Sequence, residues 1–159
     1  MEIKEANAYD FEKLRIFMEL VDADFVPPLS LRPGGIQGKI SGCLAGTDSN
    51  YLIAEGEDTL VGALGYLEDW DGTGEAYTSF LAVHPNYRGQ DIARSLDSVL
   101  IQKLEVTAIS YINVTTWSTN PGGYEMYKRL GYRFTRTLKD HRAAGVDTLY
   151  LKKKIGHGV

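Results

Sequence analysis

The chain has 159 residues, of which 43% are hydrophobic and 24% charged, so it is long enough for one domain with a substantial core and too short for two ordinary ones. Its formal net charge of -4 at pH 7 argues against broad nucleic-acid binding, because that activity relies on basic side chains that neutralise phosphates. The single cysteine, Cys43, excludes an intrachain disulfide, and no apolar run approaches the length of a membrane span, so the default expectation is a cytoplasmic protein that binds no membrane.

The first third of the chain is predicted to hold one strand and two helices. Residues 1–6 are typical of a short strand, and Asp10 is placed to cap a helix. The apolar residues of that helix recur at helical spacing, at Phe11, Leu14, Phe17, Met18 and Val21. Proline and glycine pairs bracket a loop over residues 27–35, and a second helix is predicted over residues 36–45.

Two apolar runs, residues 51–55 and 60–67, predict a hairpin because a polar turn of four residues separates them. Another strand is predicted over residues 76–83. In that strand, simple alternation puts Tyr77, Ser79, Leu81 and Val83 on one face and Ala76, Thr78, Phe80 and Ala82 on the other.

An acidic turn, residues 68–75, precedes this strand and carries four carboxylates around Trp70. One interpretation is a solvated turn, since Asp-Gly is common turn chemistry. The other is a pocket for a cationic acceptor, with Trp70 covering its apolar part.

Residues 81–100, LAVHPNYRGQDIARSLDSVL, predict a strand, a short basic loop and a helix in one run. A helix that begins directly after a glycine-containing loop presents backbone N–H groups and the positive end of its dipole, which suits a phosphate. Such junctions are common in α/β proteins and most bind nothing, so Gly89 alone does not define a site.

The last third is predicted to hold a strand, a helix and two closing strands. The first strand covers residues 111–117, which alternate and are rich in β-branched and aromatic residues. In NPGGYEMYKRLGY, residues 120–132, Asn120 suits an N-cap and Gly131 suits the position just past the helix end. The closing strands are predicted over residues 133–140 and 146–154, joined by a polar connection through His141, Arg142 and Gly145.

Two of these segments resemble the GNAT N-acetyltransferase superfamily. The stretch Val83-x-Pro85-x-Tyr87-Arg88-Gly89-Gln90-x-Ile92-Ala93 is similar to its acetyl-CoA-binding signature, and residues 120–132 are similar to its late helix. The resemblance implies a single-domain α/β fold over residues 1–155, with a mixed, mostly antiparallel sheet, the order βααβββαβαββ and splayed central strands. Residues 156–159 are expected to be a tail.

The resemblance also implies how acetyl-CoA is bound. Its pantetheine arm is expected to insert between the fourth and fifth strands and to bond backbone groups of Leu81, Ala82 and Val83. Its pyrophosphate is expected to meet the loop and first helical turn formed by Arg88, Gly89, Gln90, Asp91, Ile92 and Ala93. Asn120 is expected to contact the pantetheine arm, although capping its own helix explains this residue equally well.

Asp91 departs from the family signature, which has glycine at this position. If its carboxylate points outward from the first helical turn it costs little, because it suits the helix dipole there. If it points toward the pyrophosphate, it weakens cofactor binding.

The resemblance assigns Tyr127 the role of general acid toward the departing thiolate of coenzyme A, with a packed aromatic as the alternative. A phenol can serve because its unperturbed pKa, about 10, lies above that of a thiol. The acceptor must arrive as a free amine, and Glu75 is the expected base, with Glu68 or a water held by Ser79 and Tyr77 as alternatives. The expected acceptor contacts are Phe25, Arg32, Trp70 and Tyr77; for the early loop, a plain surface loop is the alternative.

The sequence therefore predicts an acetyl-CoA-dependent N-acetyltransferase acting on a primary amine by direct attack. A small-molecule amine is favoured; a protein or peptide acceptor and a noncatalytic sensor that binds coenzyme A are the alternatives. No His, Cys and carboxylate set has metal-ligand spacing, so no metal is expected. Family members often form homodimers, and nothing in the sequence identifies an interface.

Overall fold

The computed structural model describes residues 2–156. Its helices and strands are β1 (Glu2–Glu5), α1 (Phe11–Val21), α2 (Gly35–Ser41), β2 (Ser49–Glu55), β3 (Leu60–Leu67), β4 (Ala76–Val83), α3 (Ile92–Glu105), β5 (Tyr111–Trp117), α4 (Pro121–Arg129), β6 (Arg133–Ala143) and β7 (Val146–Lys154). This is the predicted order. Of the expected tail, all but Gly156 lies outside the described residues. Within them, no helix is both long and apolar enough to cross a membrane.

The strands form a seven-stranded sheet in the order β1-β2-β3-β4-β5-β7-β6. Every neighbouring pair is antiparallel except β4 and β5, which are parallel. Two apolar cores cover the two faces, one built with α1 and α2 and the other with α3 and α4. Successive residues of β2, Leu52 and Ile53, lie in different cores, as the alternation of a strand requires.

The start of α1 differs from the prediction that Asp10 caps it. The side chain of Asn7 accepts the N–H of Tyr9 at 2.9 Å, and the Asp10 carboxylate accepts the N–H of Asn7 at 2.8 Å. Asn7 therefore caps the 3-10 turn Ala8–Asp10 that leads into α1, and Asp10, which precedes α1 without a side-chain cap bond to it, is the reciprocal partner in a capping box. Of the predicted inward residues of α1, Leu14, Phe17, Met18 and Val21 are buried, and Phe11 is partly buried against the same core.

The strands β4 and β5 separate after a short paired segment. Their register runs from Ala76 opposite Ile112 to Thr78 opposite Val114, yet β4 continues to Val83 and β5 to Trp117. Backbone edges beyond Thr78 thus face each other across a gap.

A β-bulge lies at the point of separation. In the pairing of β3 with β4, Gly65 lies opposite Phe80 and Tyr66 opposite Thr78, so Ser79 is an extra residue. The ammonium group of Lys39 donates to the Ser79 carbonyl at 3.1 Å and so satisfies a backbone acceptor at the bulge. A bulge bends its strand, which accounts for the divergence of β4 from β5.

The bulge overturns the predicted faces of β4. Ala76 lies in the core built with α3, as Leu81 does, whereas Phe80 lies in the core built with α1. Simple alternation had put Ala76 and Phe80 on one face. The extra residue at Ser79 reverses the alternation, because the side-chain period of a strand is two.

The last hairpin also differs from its prediction. His141 and Arg142 belong to β6 rather than to a connection, and Ala143 pairs with Val146 across a turn of two residues. Gly145 has φ 76 in that turn, a conformation that favours glycine. The helix α2 is also shorter than predicted and ends at Ser41.

Candidate active site

A cleft of ≈ 680 Å³ lies where β4 and β5 separate. It is bounded by the two strands, by the first turn of α3, by α4 and by the loop that follows α1. The predicted site residues that line it are Phe25, Arg32, Tyr77, Leu81, Ala82, Val83, Arg88, Gly89, Asp91, Ile92, Ala93, Asn120 and Tyr127. Three others are not among the described residues that line it: Trp70, Glu75 and Gln90.

One end of the cleft is closed by the start of α3. The first hydrogen bond of this helix joins the N–H of Ser95 to the Asp91 carbonyl at 3.0 Å, so the N–H groups of the preceding turn lie at the open helix end. Asp91 has φ 59, in the left-handed region, and its exposed side chain makes no capping hydrogen bond. The left-handed backbone gives a physical reason why glycine suits this position.

Arg88 lies at the same end and bridges two elements. Its Nε donates to the Val83 carbonyl at 3.1 Å, and its Nη2 contacts the Asp24 carboxylate at 2.9 Å. Both side chains of this ion pair are about half exposed, at 52% and 53%. The guanidinium group therefore lies beside the helix end with one exposed carboxylate as its partner.

Tyr127 is buried in the wall of the cleft, on α4. Its ring packs edge-on against Tyr132, with centroids 5.5 Å apart. Burial raises the pKa of the Tyr127 phenol, and the nearby Tyr77 and Asp97 raise it further. The phenol is therefore protonated throughout the neutral pH range, as a proton donor must be.

Asn120 both caps α4 and lines the cleft. Its Oδ1 accepts the N–H of Gly123 at 3.1 Å, and its Nδ2 donates to Thr116 Oγ1 at 3.4 Å. The capping explanation of this residue is thus confirmed, and a contact with the pantetheine arm stays a prediction.

Glu75 lies in a position that does not favour it as the base. Its carboxylate accepts from Asn113 Nδ2 at 2.9 Å and from Lys152 Nζ at 3.0 Å. Burial alone would raise the pKa of Glu75, but these two donors outweigh that effect and lower it. A paired carboxylate with a lowered pKa, outside the cleft, is a poor proton acceptor.

The acidic turn has a structural role in the fold. The Asp69 carboxylate accepts the N–H of Gly74 at 2.8 Å, which is ordinary turn chemistry. Trp70 stacks on Tyr77, with ring centroids 4.9 Å apart, and so supports the cleft wall from behind. Glu68 is likewise not among the described residues of the lining.

The end of the cleft at which β4 and β5 begin to separate, just beyond Thr78 and Val114, is called the narrow end. It carries positive charge. Arg32 and Arg142 line it, and Lys39 lies next to it at the bulge. Burial lowers the pKa of Lys39 to about 8, and the charge of Arg32 contributes to the shift. Among residues 2–156, no carboxylate forms an ion pair with any of these three side chains.

The loop after α1 covers this narrow end. The ring of Phe25 stacks on Phe80 of β4 at 5.4 Å and lies 5.7 Å from Trp117 of β5. Arg142 ties the loop to the sheet, since its Nη1 donates to the Val26 carbonyl at 3.2 Å. Phe25 thus bridges the two splayed strands.

Sequence reasoning missed Arg142 as a cleft residue because it was assigned to a connection. The signal was present in Gly145, which predicts a turn of two residues and hence a longer β6. Asp24 and Lys39 were also missed, and their roles depend on tertiary contacts that no local pattern reports.

Comparison with known proteins identifies the family. The model of the acetyltransferase (GNAT) family matches residues 15–132. An acetyltransferase of Yersinia pestis (strain Pestoides F) is 30% identical over 151 residues, which cover 94% of this chain and 100% of that protein. The chain belongs to the GNAT acetyltransferase family. As a GNAT acetyltransferase it is an acyltransferase that uses acetyl-CoA.

Solved structures have the same GNAT fold. The ribosomal-protein-S18-alanine N-acetyltransferase from Escherichia coli gives a TM-score of 0.81 at 17% identity, covering 99% of this chain and 96% of that one. An aminoglycoside 6'-N-acetyltransferase complexed with coenzyme A gives 0.77 at 17% identity, covering 98% of both chains. Within residues 2–156, no group of three or more His, Cys, Asp or Glu side chains is placed to hold a metal ion.

Proposed function

We propose that this GNAT acetyltransferase moves the acetyl group of acetyl-CoA to the primary amine of a small molecule by direct attack. The observation that carries the proposal is the separation of β4 and β5 beside a buried tyrosine, Tyr127. The C–S bond of the thioester breaks, a C–N bond forms, and the amine loses a proton while the thiolate gains one.

The residues of the cleft suit acetyl-CoA. The facing backbone edges beyond Thr78 provide N–H and C=O groups for the amides of the pantetheine arm. The start of α3 provides N–H groups and a positive dipole end for the pyrophosphate. Arg88 adds a positive charge once it leaves Asp24. A backbone N–H near Val83 stabilises the developing negative charge on the acetyl oxygen.

Tyr127 supplies the proton that the leaving thiolate requires. Its phenol is kept protonated by burial, and it lies in the cleft wall rather than in solvent. General acid catalysis of this kind typically contributes about 10²- to 10⁴-fold in rate.

The proton of the amine leaves through water. The two carboxylates considered as bases, Glu75 and Glu68, are not among the described residues of the cleft lining, whereas Tyr77 and Ser79 are. The Tyr77 hydroxyl is 2.9 Å from Thr115 Oγ1, so hydroxyl groups of both splayed strands are available to hold a water at the narrow end.

A small acceptor fits the covered narrow end better than a peptide does. Phe25 spans the two strands there, and Arg142 fixes the loop that carries it. The fold does not by itself distinguish a small-molecule acceptor from a protein acceptor, because it resembles both an aminoglycoside N-acetyltransferase and an N-acetyltransferase of a ribosomal protein. Membership of an acetyltransferase family favours catalysis over a noncatalytic sensor that binds coenzyme A.

The test is a screen of primary amines for release of free thiol from acetyl-CoA, followed by the Tyr127→Phe variant. The expected result is a fall in kcat of about 10²-fold or more with the acetyl-CoA Kd changed less than about threefold. Tyr132→Phe is the matched control, since it makes the same change on the neighbouring ring. Unchanged turnover in Tyr127→Phe would remove this residue from the mechanism.

A further inference from the structure

The strongest unexplained feature of the cleft is its pair of partly buried arginines, Arg32 and Arg142. Each guanidinium group is fixed by a backbone carbonyl and an aromatic ring. Arg32 donates from Nε to the Pro27 carbonyl at 3.0 Å and lies 5.8 Å from the centroid of Phe25. Arg142 donates to the Val26 carbonyl and lies 5.1 Å from the centroid of Trp117.

Both guanidinium groups have N–H donors that no hydrogen bond within the described residues uses. Arg32 Nη2 is buried and has no hydrogen-bond partner within the described part of the chain. A buried polar group without a partner destabilises the protein, and more so when it is charged. Burial lowers the pKa of Arg32, and the positive charge of Arg142 lowers it further, so the two cations repel each other. An anion between them would relieve both costs.

The anion is not supplied by the donor's phosphates in the proposed arrangement. The start of α3, where the pyrophosphate is placed, is at the opposite end of the cleft from the separation point of the strands. Arg142 lies at that separation point, because its Nη2 donates at 3.0 Å to Thr115 Oγ1, which also contacts the Tyr77 hydroxyl. The pantetheine arm between the two ends is uncharged.

Both arginines line the same cleft as Tyr127. The positive charge of Arg142 reaches the Tyr127 phenol and opposes the rise in its pKa that burial causes. Arg142 and Tyr127 line the same cleft, so one small molecule can present one group to Arg142 and an amine beside Tyr127.

We propose, building on the function above, that the acceptor is an amino acid whose carboxylate is bound by Arg32 and Arg142. Guanidinium groups match the planar, bidentate geometry of a carboxylate. The same positive charge disfavours the ammonium form of the nearby amine, which helps a site whose described lining includes neither Glu75 nor Glu68. The products are an N-acetyl amino acid and coenzyme A; the amine proton passes to water, and the thiolate takes its proton from Tyr127.

The experiment compares each L-amino acid with its carboxamide and with its decarboxylated amine, using thiol release from acetyl-CoA. Calorimetry of the same compounds into protein saturated with coenzyme A gives a second readout. At least one amino acid is expected to exceed its carboxamide by about 30-fold or more in kcat/KM, since the carboxamide lacks the charge-assisted hydrogen bonds of the carboxylate. Phosphoethanolamine tests whether a phosphate is preferred.

Variants identify the binding residues. Arg32→Gln and Arg142→Lys are expected to raise the KM of the amino acid about tenfold or more, to abolish its preference over the carboxamide and to leave the acetyl-CoA KM within about twofold. Arg136→Gln is the control, because this exposed arginine of β6 stacks on Tyr150 outside the cleft lining. Thermal melting checks that each variant is folded.

The outcomes separate the two proposals. If no amino acid reacts or binds, if a carboxamide serves equally well, or if only phosphoethanolamine reacts, the carboxylate assignment is overturned. Thiol release with any small amine then still supports the proposed function. If no small amine releases thiol, that function fails together with the inference.

Discussion

Tyr127 and Tyr132 are neighbouring rings with different hydroxyl environments. Their centroids are 5.5 Å apart, and the Tyr132 hydroxyl donates to the buried Asp97 carboxylate at 2.7 Å. Among residues 2–156, the Tyr127 hydroxyl has no hydrogen-bond partner, although its ring lines the cleft. One phenol therefore stabilises the fold, while the other is available for chemistry.

This difference predicts that the same substitution lowers stability by unequal amounts at the two positions. Tyr132→Phe removes a donor from a buried carboxylate, which Lys153 also contacts at 2.8 Å, and is expected to lower the free energy of unfolding by about 1 to 3 kcal/mol. Tyr127→Phe removes no hydrogen bond and is expected to cost less than about 0.5 kcal/mol. Urea unfolding measures both, and an equal loss in the two variants would contradict the assignment.

Asp91→Gly is expected to improve both stability and acetyl-CoA binding. Glycine adopts the left-handed backbone of this position without strain, for a gain of about 1 kcal/mol in the free energy of unfolding. It also removes a negative charge next to the proposed pyrophosphate site, so the acetyl-CoA Kd is expected to fall about three- to tenfold. Asp91→Asn separates the two causes, since it removes the charge and keeps a side chain. Calorimetry that shows weaker binding by the glycine variant would refute this account.

Asp24→Asn is expected to strengthen acetyl-CoA binding about two- to fivefold, because the carboxylate pairs with Arg88, the proposed partner of the pyrophosphate. The effect should shrink as salt is raised. Its cost in stability is expected to be below about 1 kcal/mol, since both partners are half exposed. Calorimetric titrations at two salt concentrations test this, and an unchanged Kd at low salt would show that Arg88 does not exchange partners.

Glu75→Gln is expected to alter how the free energy of unfolding depends on pH, while leaving kcat within about threefold of the wild-type value. The pKa of Glu75 is lowered in the folded protein, since the donors Asn113 and Lys152 outweigh burial. Its contribution is therefore present above the unfolded pKa of about 4.3 and is lost as the pH falls through the lower folded pKa.

Thermal unfolding across the acid range measures this effect. The wild type is expected to be more stable than Glu75→Gln near pH 7, and the difference is expected to close below about pH 4. Glu57→Gln, an exposed change in the β2–β3 turn, is the control. A large fall in kcat for Glu75→Gln at neutral pH would restore this residue as the base.

The elements of the fold were predictable because their signals are local. Helical spacing in α1 and α3, the turn between β2 and β3, and the cap and end of α4 each lie within a few neighbouring residues. The loop before α3 was predictable for the same reason, since Arg88 to Ala93 form a continuous motif.

The bulge and the charge of the narrow end were not predictable from local signals. Ser79 is an extra residue only with respect to its pairing partners, Gly65 and Tyr66, so β4 alone does not reveal it. Arg32 and Arg142 come from distant segments of the chain and line the same cleft. The acidic turn at Trp70 suggested a cationic acceptor, but it lies outside the cleft lining, which is positive at its narrow end.

Amide hydrogen exchange with and without saturating acetyl-CoA tests most directly whether the donor binds where β4 and β5 separate. The predicted result is added protection in two segments, the end of β4 from Leu81 to Val83 and the loop and helix start from Gly89 to Ala93, with little change in β1 or β6. Protection concentrated elsewhere while acetyl-CoA is fully bound, or no protection in either segment, would contradict the proposed site.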